Sequence, residues 1–300
     1  WKQISGDVFR QPKRLLLLSS FVGTGIEILC LFIVALILSI IGFLKPEKRG
    51  DMVNSIMYSF IFMSIVAGYF STYIYKNNGG EQRVLNIIFT ALFFPAISIT
   101  VIAISRILLS FEKSSASFKI SQIGMLILIW LFISSPLVYV GSLICLMQPK
   151  HKCPCKVNKL PTTIGKKPWY LHLQYAAWFT GIIPFATIFI EFIYIMSYMW
   201  RYPVYFTALF LSLSVFFLVI IHSQISIIFV FVNLCKGDYN WWWKSFFVSA
   251  SPALYVLLFS IYYFFRLTLT RFTAIVIYFL IMSLITLACA LLYGAYGTFI

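Results

Sequence analysis

The 300 residues are 61% hydrophobic and only 10% charged, with a mean hydropathy of +0.94, whereas a soluble globular chain carries roughly 25% charged residues. This excludes a soluble domain, because no core of that size hides so much apolar surface, and it makes lipid the solvent. The net charge of +15 does not indicate nucleic-acid binding, since the basic residues lie almost wholly between the apolar runs and form no groove-lining cluster.

The chain opens with a basic, polar lead-in at residues 1–14, carrying Lys2, Arg10, Lys13 and Arg14. Eight apolar runs follow, at about 15–43, 53–75, 84–110, 119–146, 175–200, 204–234, 244–266 and 272–300. Each is long enough to cross roughly 30 Å of hydrocarbon as a helix of about 20 residues. In lipid the backbone is satisfied only in helices or closed barrels, and continuous runs instead of short alternating segments exclude a barrel. The expected fold is all-α, a polytopic transmembrane helical bundle of about eight spans, with the lipid bilayer as its first partner.

Within the first run, Glu27 shares a stripe with Ser20, Gly23 and Thr24. Pro95, Pro136, Pro184 and Pro252 interrupt later runs; each removes a helix hydrogen bond, and plain kinks are the expected result. The longest connection, 147–172, holds six lysines and no acid, and is too short to be a domain. In the fifth run Thr180, Pro184, Thr187, Glu191, Tyr194 and Tyr198 recur at steps of three and four, which places them on one helical stripe. The sixth run carries His222, Ser226 and Asn233 on one face. Trp169, and Trp241 with Trp242 and Trp243, stand at run boundaries, where indole rings anchor to the headgroup region.

Charged groups inside lipid are costly, so Glu27, Glu191 and His222 invite a functional reading. They are candidates for an ion or proton path, or, with Thr187, Tyr194 and Ser226, for a polar face that recognises another helix. The plainer alternative is hydrogen bonding between packed helices.

Alternation of the spans puts the lead-in and the loops 76–83, 147–172 and 235–244 on one side, with 14 of the Lys and Arg residues against 9 on the other. The basic-rich side is expected to be cytosolic. Six cysteines are spread along the chain, and His151 with Cys153 and Cys155 has a poor spacing for zinc. No metal and no cofactor is expected. None of the phosphate-loop, nucleophile-elbow or zinc-protease motifs occurs, so the chain is not expected to be an enzyme.

Specific strings add a resemblance. Trp1-Lys2 with Gly6-Asp7-Val8-Phe9-Arg10, then Gly23-Thr24-Gly25, Ala67-Gly68-Tyr69, Ser135-Pro136-Leu137 and Ile183-Pro184-Phe185 occur in order. Phe189-Ile190-Glu191, Leu234-Cys235, Asp238-Tyr239, Trp241-Trp242-Trp243 and Tyr262-Tyr263-Phe264-Phe265 follow. Together they resemble the membrane region of nonaspanins, the transmembrane 9 superfamily. The resemblance implies a fragment covering spans two to nine, without the family's lumenal amino-terminal domain and its cytosolic tail. It further implies residence in Golgi and endosomal membranes and a role in sorting, trafficking or surface localisation of other membrane proteins. The partners implied are client transmembrane proteins, met through lateral helix recognition, and coat machinery reached through the missing tail. The alternative is an ion- or proton-coupled transporter or channel using Glu27, Glu191 and His222. The chain departs from the family pattern at His222-Ser223-Gln224-Ile225-Ser226, where a T-C-A-E-I-T-like string carries an acid, and at Glu27, Asn240 and Cys153-Pro154-Cys155.

Overall fold

The computed structural model describes residues 6–42, 49–111, 120–151, 155, 157, 160–162, 165, 168–200 and 208–300. The described elements are helical. They are α1 (Leu15–Ile41), α2 (Arg49–Asn77), α3 (Arg83–Phe111), α4 (Ile120–Ile129), α5 (Ser135–Met147), α6 (Leu173–Trp200), α7 (Ala208–Cys235), α8 (Trp242–Ser249), α9 (Pro252–Phe264) and α10 (Phe272–Phe299). A π turn, Trp130–Ser134, joins α4 to α5. Among the described residues eight helical stretches are long and apolar enough to cross a membrane, because α4 and α5 make one and α8 and α9 make another. This is the expected all-α polytopic bundle.

α1, α2, α3 and the α4–α5 span pack together, as do α6, α7 and the α8–α9 span, and α10 touches members of both groups. The α8–α9 span is the most enclosed: 56% of its central apolar window is buried inside the protein, against 17–28% for the other spans. One apolar core gathers Leu18, Val22 and Ile26 of α1 with Ile74, Phe246 and Leu291. A second joins Phe192 and Met196 of α6 to Val256, Tyr263, Tyr278 and Met282.

Apolar contact alone does not drive helices together in lipid, so close approach and hydrogen bonds carry the association. Glycines provide the approach. A Cβ added to Gly68 of α2 would lie 2.0 Å from the Val138 carbonyl oxygen, and one added to Gly141 of α5 would lie 2.0 Å from that of Ile65. Gly25 is pressed likewise on α10, where its Cβ would lie 2.1 Å from the Leu291 carbonyl oxygen.

The prolines take different positions in the helices. Pro95 and Pro184 lie inside continuous helices. Pro252 begins α9 after a break at Ala250–Ser251, because it has no N–H to continue the ladder and its ring opposes the preceding turn. Pro136 follows the π turn, in which Ser135 N–H is bonded five residues back to the Trp130 carbonyl.

Candidate functional site

Polar side chains with nowhere to reach water seek partners on neighbouring helices, and three seams of them run through the bundle. The first begins at Glu27. Ser20, Gly23, Thr24 and Glu27 are all buried, as their shared stripe predicts. The Ser64 hydroxyl of α2 donates to Glu27 Oε1 at 3.0 Å and lies 2.8 Å from Ser134 Oγ in the π turn. Three spans are thus tied at one serine. The π turn carries Ser134 to this point, and Trp130 Nε1 donates to the Ala91 carbonyl of α3 at 3.0 Å.

A second group on these helices does not stand out in the sequence. Ser19 donates to Asn86 Oδ1 at 2.6 Å, Asn86 Nδ2 donates to Ser71 Oγ at 2.9 Å, and Ser71 lies 2.7 Å from Thr90 Oγ1. All four are buried. The spacing of Asn86 and Thr90, four residues apart, is the available signal, since it puts both on one face of α3.

The second seam lies between α6 and α7. Glu191 is buried, and Ser214 of α7 donates to its Oε1 at 2.5 Å; its Oε2 meets no partner among the described residues. Thr187 is half-buried and donates to the Pro184 carbonyl at 2.7 Å. Tyr194 departs from the expected common face: it is 49% exposed on the outer surface of the bundle. Here α6 turns Phe192 and Met196 toward α9 and α10, which leaves Tyr194 on the far side. The side chain of Tyr198 lies outside the described part of the structure.

The third seam surrounds the break in the α8–α9 span. His222, Ser226 and Asn233 are all buried on one face of α7. His222 Nε2 lies 3.4 Å from the Tyr293 carbonyl of α10. Ser226 Oγ lies 2.9 Å from Ser249 Oγ, and Ser245 donates to the Gly297 carbonyl at 2.8 Å. Gly297 is needed for this approach, since a Cβ there would lie 1.9 Å from Ser249 Oγ. On the α6 side, Thr180 Oγ1 is 3.4 Å from Ser251 Oγ.

The structure therefore does not bring Glu27, Glu191 and His222 together. Each belongs to a different helix pair. Ser214, the partner of Glu191, is eight residues from His222 along α7, about 12 Å at the helical rise.

The proposed tryptophan anchors have varied surroundings. Trp169 is exposed and packs edge-on against Tyr175, with ring centroids 6.0 Å apart. Trp241 Nε1 donates to the Val8 carbonyl at 3.0 Å, and Trp243 Nε1 to that of Lys13 at 2.6 Å, so both hold the lead-in against the bundle. Trp242 stacks on Trp241 with ring centroids 4.0 Å apart. Asp7 completes the clasp: it accepts from Arg10 Nη2 at 2.7 Å and from Thr162 Oγ1 at 2.9 Å. Lys76 donates to the Cys145 carbonyl at 3.0 Å, so the lead-in and the three loops named with it meet at one end of the bundle. Of the cysteines, Cys30, Cys145, Cys155, Cys235 and Cys289 are free thiols, and Cys153 lies outside the described residues. Among the described residues no group of three or more metal-ligating side chains occurs.

The sequence profile described as Endomembrane protein 70 matches residues 1–292. Transmembrane 9 superfamily member 8 of Arabidopsis thaliana is 34% identical over 99% of this chain and 46% of its own length. Member 10 from the same plant is 32% identical over 99% of this chain and 47% of its own length. Human Transmembrane 9 superfamily member 4 is 32% identical, with 99% and 46% covered. The chain thus spans about half the length of these relatives. No solved structure matches it.

Proposed function

Because this chain belongs to the Endomembrane protein 70 family, the transmembrane 9 superfamily, we propose that it serves an endomembrane protein that sorts other transmembrane proteins by recognising their helices laterally. The compartment proposed is the Golgi and endosomal system. The observation that carries the reading is the dispersal of the intramembrane ionisable groups. Glu27 is bonded to Ser64, Glu191 to Ser214, and His222 faces Tyr293, so each serves a separate helix seam. A coupled transporter usually gathers its charges at one midplane site. Helix recognition in lipid instead needs small residues and hydrogen-bonding groups at a helix interface; in the α6–α7 seam the buried Glu191 Oε2 has no partner among the described residues, and Tyr194 is exposed three residues further along α6.

In this proposal the end bearing the lead-in and the 147–172 loop faces the cytosol, as the distribution of Lys and Arg supports. Coat machinery is met through a tail of the longer protein, and the chain performs no catalytic step. Depleting the full-length protein is expected to leave particular membrane proteins in the wrong compartment. Clients whose spans contain small residues should be affected most, because they allow the closest approach. Unchanged distribution of all surface and Golgi membrane proteins would refute the reading.

The broken seventh span favours a second reading. Discontinuous helices are a recurrent feature of transport sites, and here Ser226, Ser245, Ser249 and Ser251 are buried around the break. Under this reading, purified protein in liposomes conducts ions or protons, and His222→Ala or Glu191→Gln abolishes the flux. The sorting proposal expects no flux above empty liposomes.

A further inference from the structure

A cavity of about 920 Å³ opens at the end of the bundle where the α2–α3 hairpin meets the segment after α5; its walls include Lys76, Glu81, Arg83, Val84, Leu85 and Lys150. The sorting reading makes no use of it. Its cations come from three places in the chain, and one of them is already committed. Lys76 donates to the carbonyls of Cys145, Leu146 and Gln148, where a cation offsets the negative end of α5. Arg83 and Lys150 are exposed at the mouth, opposed only by the Glu81 carboxylate among the charged lining groups.

The hairpin that presents Arg83 is held in place. Gly80 N–H donates to the Tyr75 carbonyl at 2.9 Å, Gln82 N–H donates to the Tyr75 hydroxyl at 3.1 Å, and Gly79 takes a φ of +81° that glycine adopts readily. The lower wall has the opposite character. Val84 and Leu85, in the first turn of a span, are 69% and 50% exposed. Exposed Arg83 and Lys150 therefore share the mouth with exposed Val84 and Leu85, which open an apolar span. That is the profile of a phospholipid crossing the interface: an anionic head among cations and a chain along an apolar wall.

We propose that this mouth binds the phosphate headgroup of an anionic glycerophospholipid. Arg83 supplies a planar fork suited to two phosphate oxygens, Lys150 a second charge from the segment after α5, and Val84 and Leu85 the track for an acyl chain. Glu81 sets the limit on affinity.

The test is equilibrium binding of tail-labelled phosphatidic acid to the purified full-length protein in neutral detergent, with tail-labelled phosphatidylcholine as the comparison. The expected result is saturable binding of phosphatidic acid, tighter than that of phosphatidylcholine. Removing one basic group near a membrane surface weakens binding about fivefold, so Arg83→Gln with Lys150→Gln should weaken it about 25-fold. Glu81→Gln should strengthen it. Lys236→Gln, which removes an exposed lysine at the same end of the bundle but outside the mouth, should leave it unchanged. Equal loss in the Lys236 variant would mean diffuse surface attraction and would overturn the site. Equal affinity for the two lipids would overturn it too. Competition by inorganic phosphate at concentrations comparable to the lipid would make free phosphate the ligand and overturn the lipid assignment.

Discussion

Ser64 donates its hydroxyl to Glu27 Oε1 at 3.0 Å, and Ser64 Oγ itself lies 2.8 Å from Ser134 Oγ. One serine on α2 therefore ties the first span to the π turn of the fourth. Ser64→Ala removes both contacts and leaves a buried carboxyl without its donor. Interhelical hydrogen bonds in membranes average about 0.6 kcal/mol, and stranding a buried polar group adds to that, so a loss of about 1–2 kcal/mol is expected. Glu27→Gln keeps an acceptor oxygen of the same shape and should cost less than about 1 kcal/mol. Thermal unfolding in detergent orders the variants: Ser64→Ala below Glu27→Gln. The reverse order would mean that Ser64 is not the residue that satisfies Glu27.

Gly68 and Gly141 each admit the backbone of the other's helix, and a Cβ at either position would lie 2.0 Å from a carbonyl oxygen. Backbone cannot rotate away as a flexible side chain can. Gly68→Ala or Gly141→Ala should separate α2 from α5 at a cost of about 1–3 kcal/mol or more. Gly124 has nothing within 4 Å of such a Cβ, so Gly124→Ala should range from neutral to about 1 kcal/mol stabilising. The three melting temperatures measured side by side decide this, and equal effects at all three positions would contradict the packing.

Glu191 and Ser214 should behave as a pair. Glu191→Gln retains the acceptor and should fold nearly as the parent does, while Glu191→Leu removes the acceptor of the Ser214 hydroxyl and should do worse. In a double-mutant cycle the Glu191→Leu and Ser214→Ala changes should couple by about 0.6–1.7 kcal/mol. Additive effects would place the carboxyl elsewhere.

Sidedness can be read from two thiols. Cys155 and Cys235 are exposed at the end of the bundle that carries the lead-in. A membrane-impermeant maleimide added from the cytosolic face of sealed vesicles should label both. Protection until the membrane is opened would invert the proposed orientation.

The spans were legible because bilayer thickness fixes the length of an apolar run, and each of the eight runs became a span. The buried stripes of α1 and α7 were legible for a related reason. Ser20, Thr24 and Glu27, and His222, Ser226 and Asn233, stand out against apolar neighbours at helical spacing. Tyr194 was misplaced because spacing gives a residue's direction from its own helix axis, not where the neighbouring helix ends. The Ser19–Asn86–Ser71–Thr90 group was missed because a lone serine or asparagine in an apolar run does not reveal its partner on another helix. The break before Pro252 could not be told from a kink, since both begin with the same missing N–H and differ only in whether neighbouring helices enclose the freed backbone. The use of Trp241 and Trp243 to hold the lead-in depends on contacts more than 200 residues apart, with indole N–H groups on the carbonyls of Val8 and Lys13.

The central claim is that the α6–α7 seam meets helices of other proteins in the plane of the membrane. Tyr194 is the side chain to test, because it is exposed three residues beyond Glu191 on the same helix. A photo-crosslinking residue placed at position 194 of the full-length protein, activated in native membranes, should capture peptides from the transmembrane segments of other proteins. The same residue at Phe231, an exposed position on α7, serves as the lipid-facing control and should capture lipid. Capture of lipid alone at both positions would contradict lateral helix recognition at this seam.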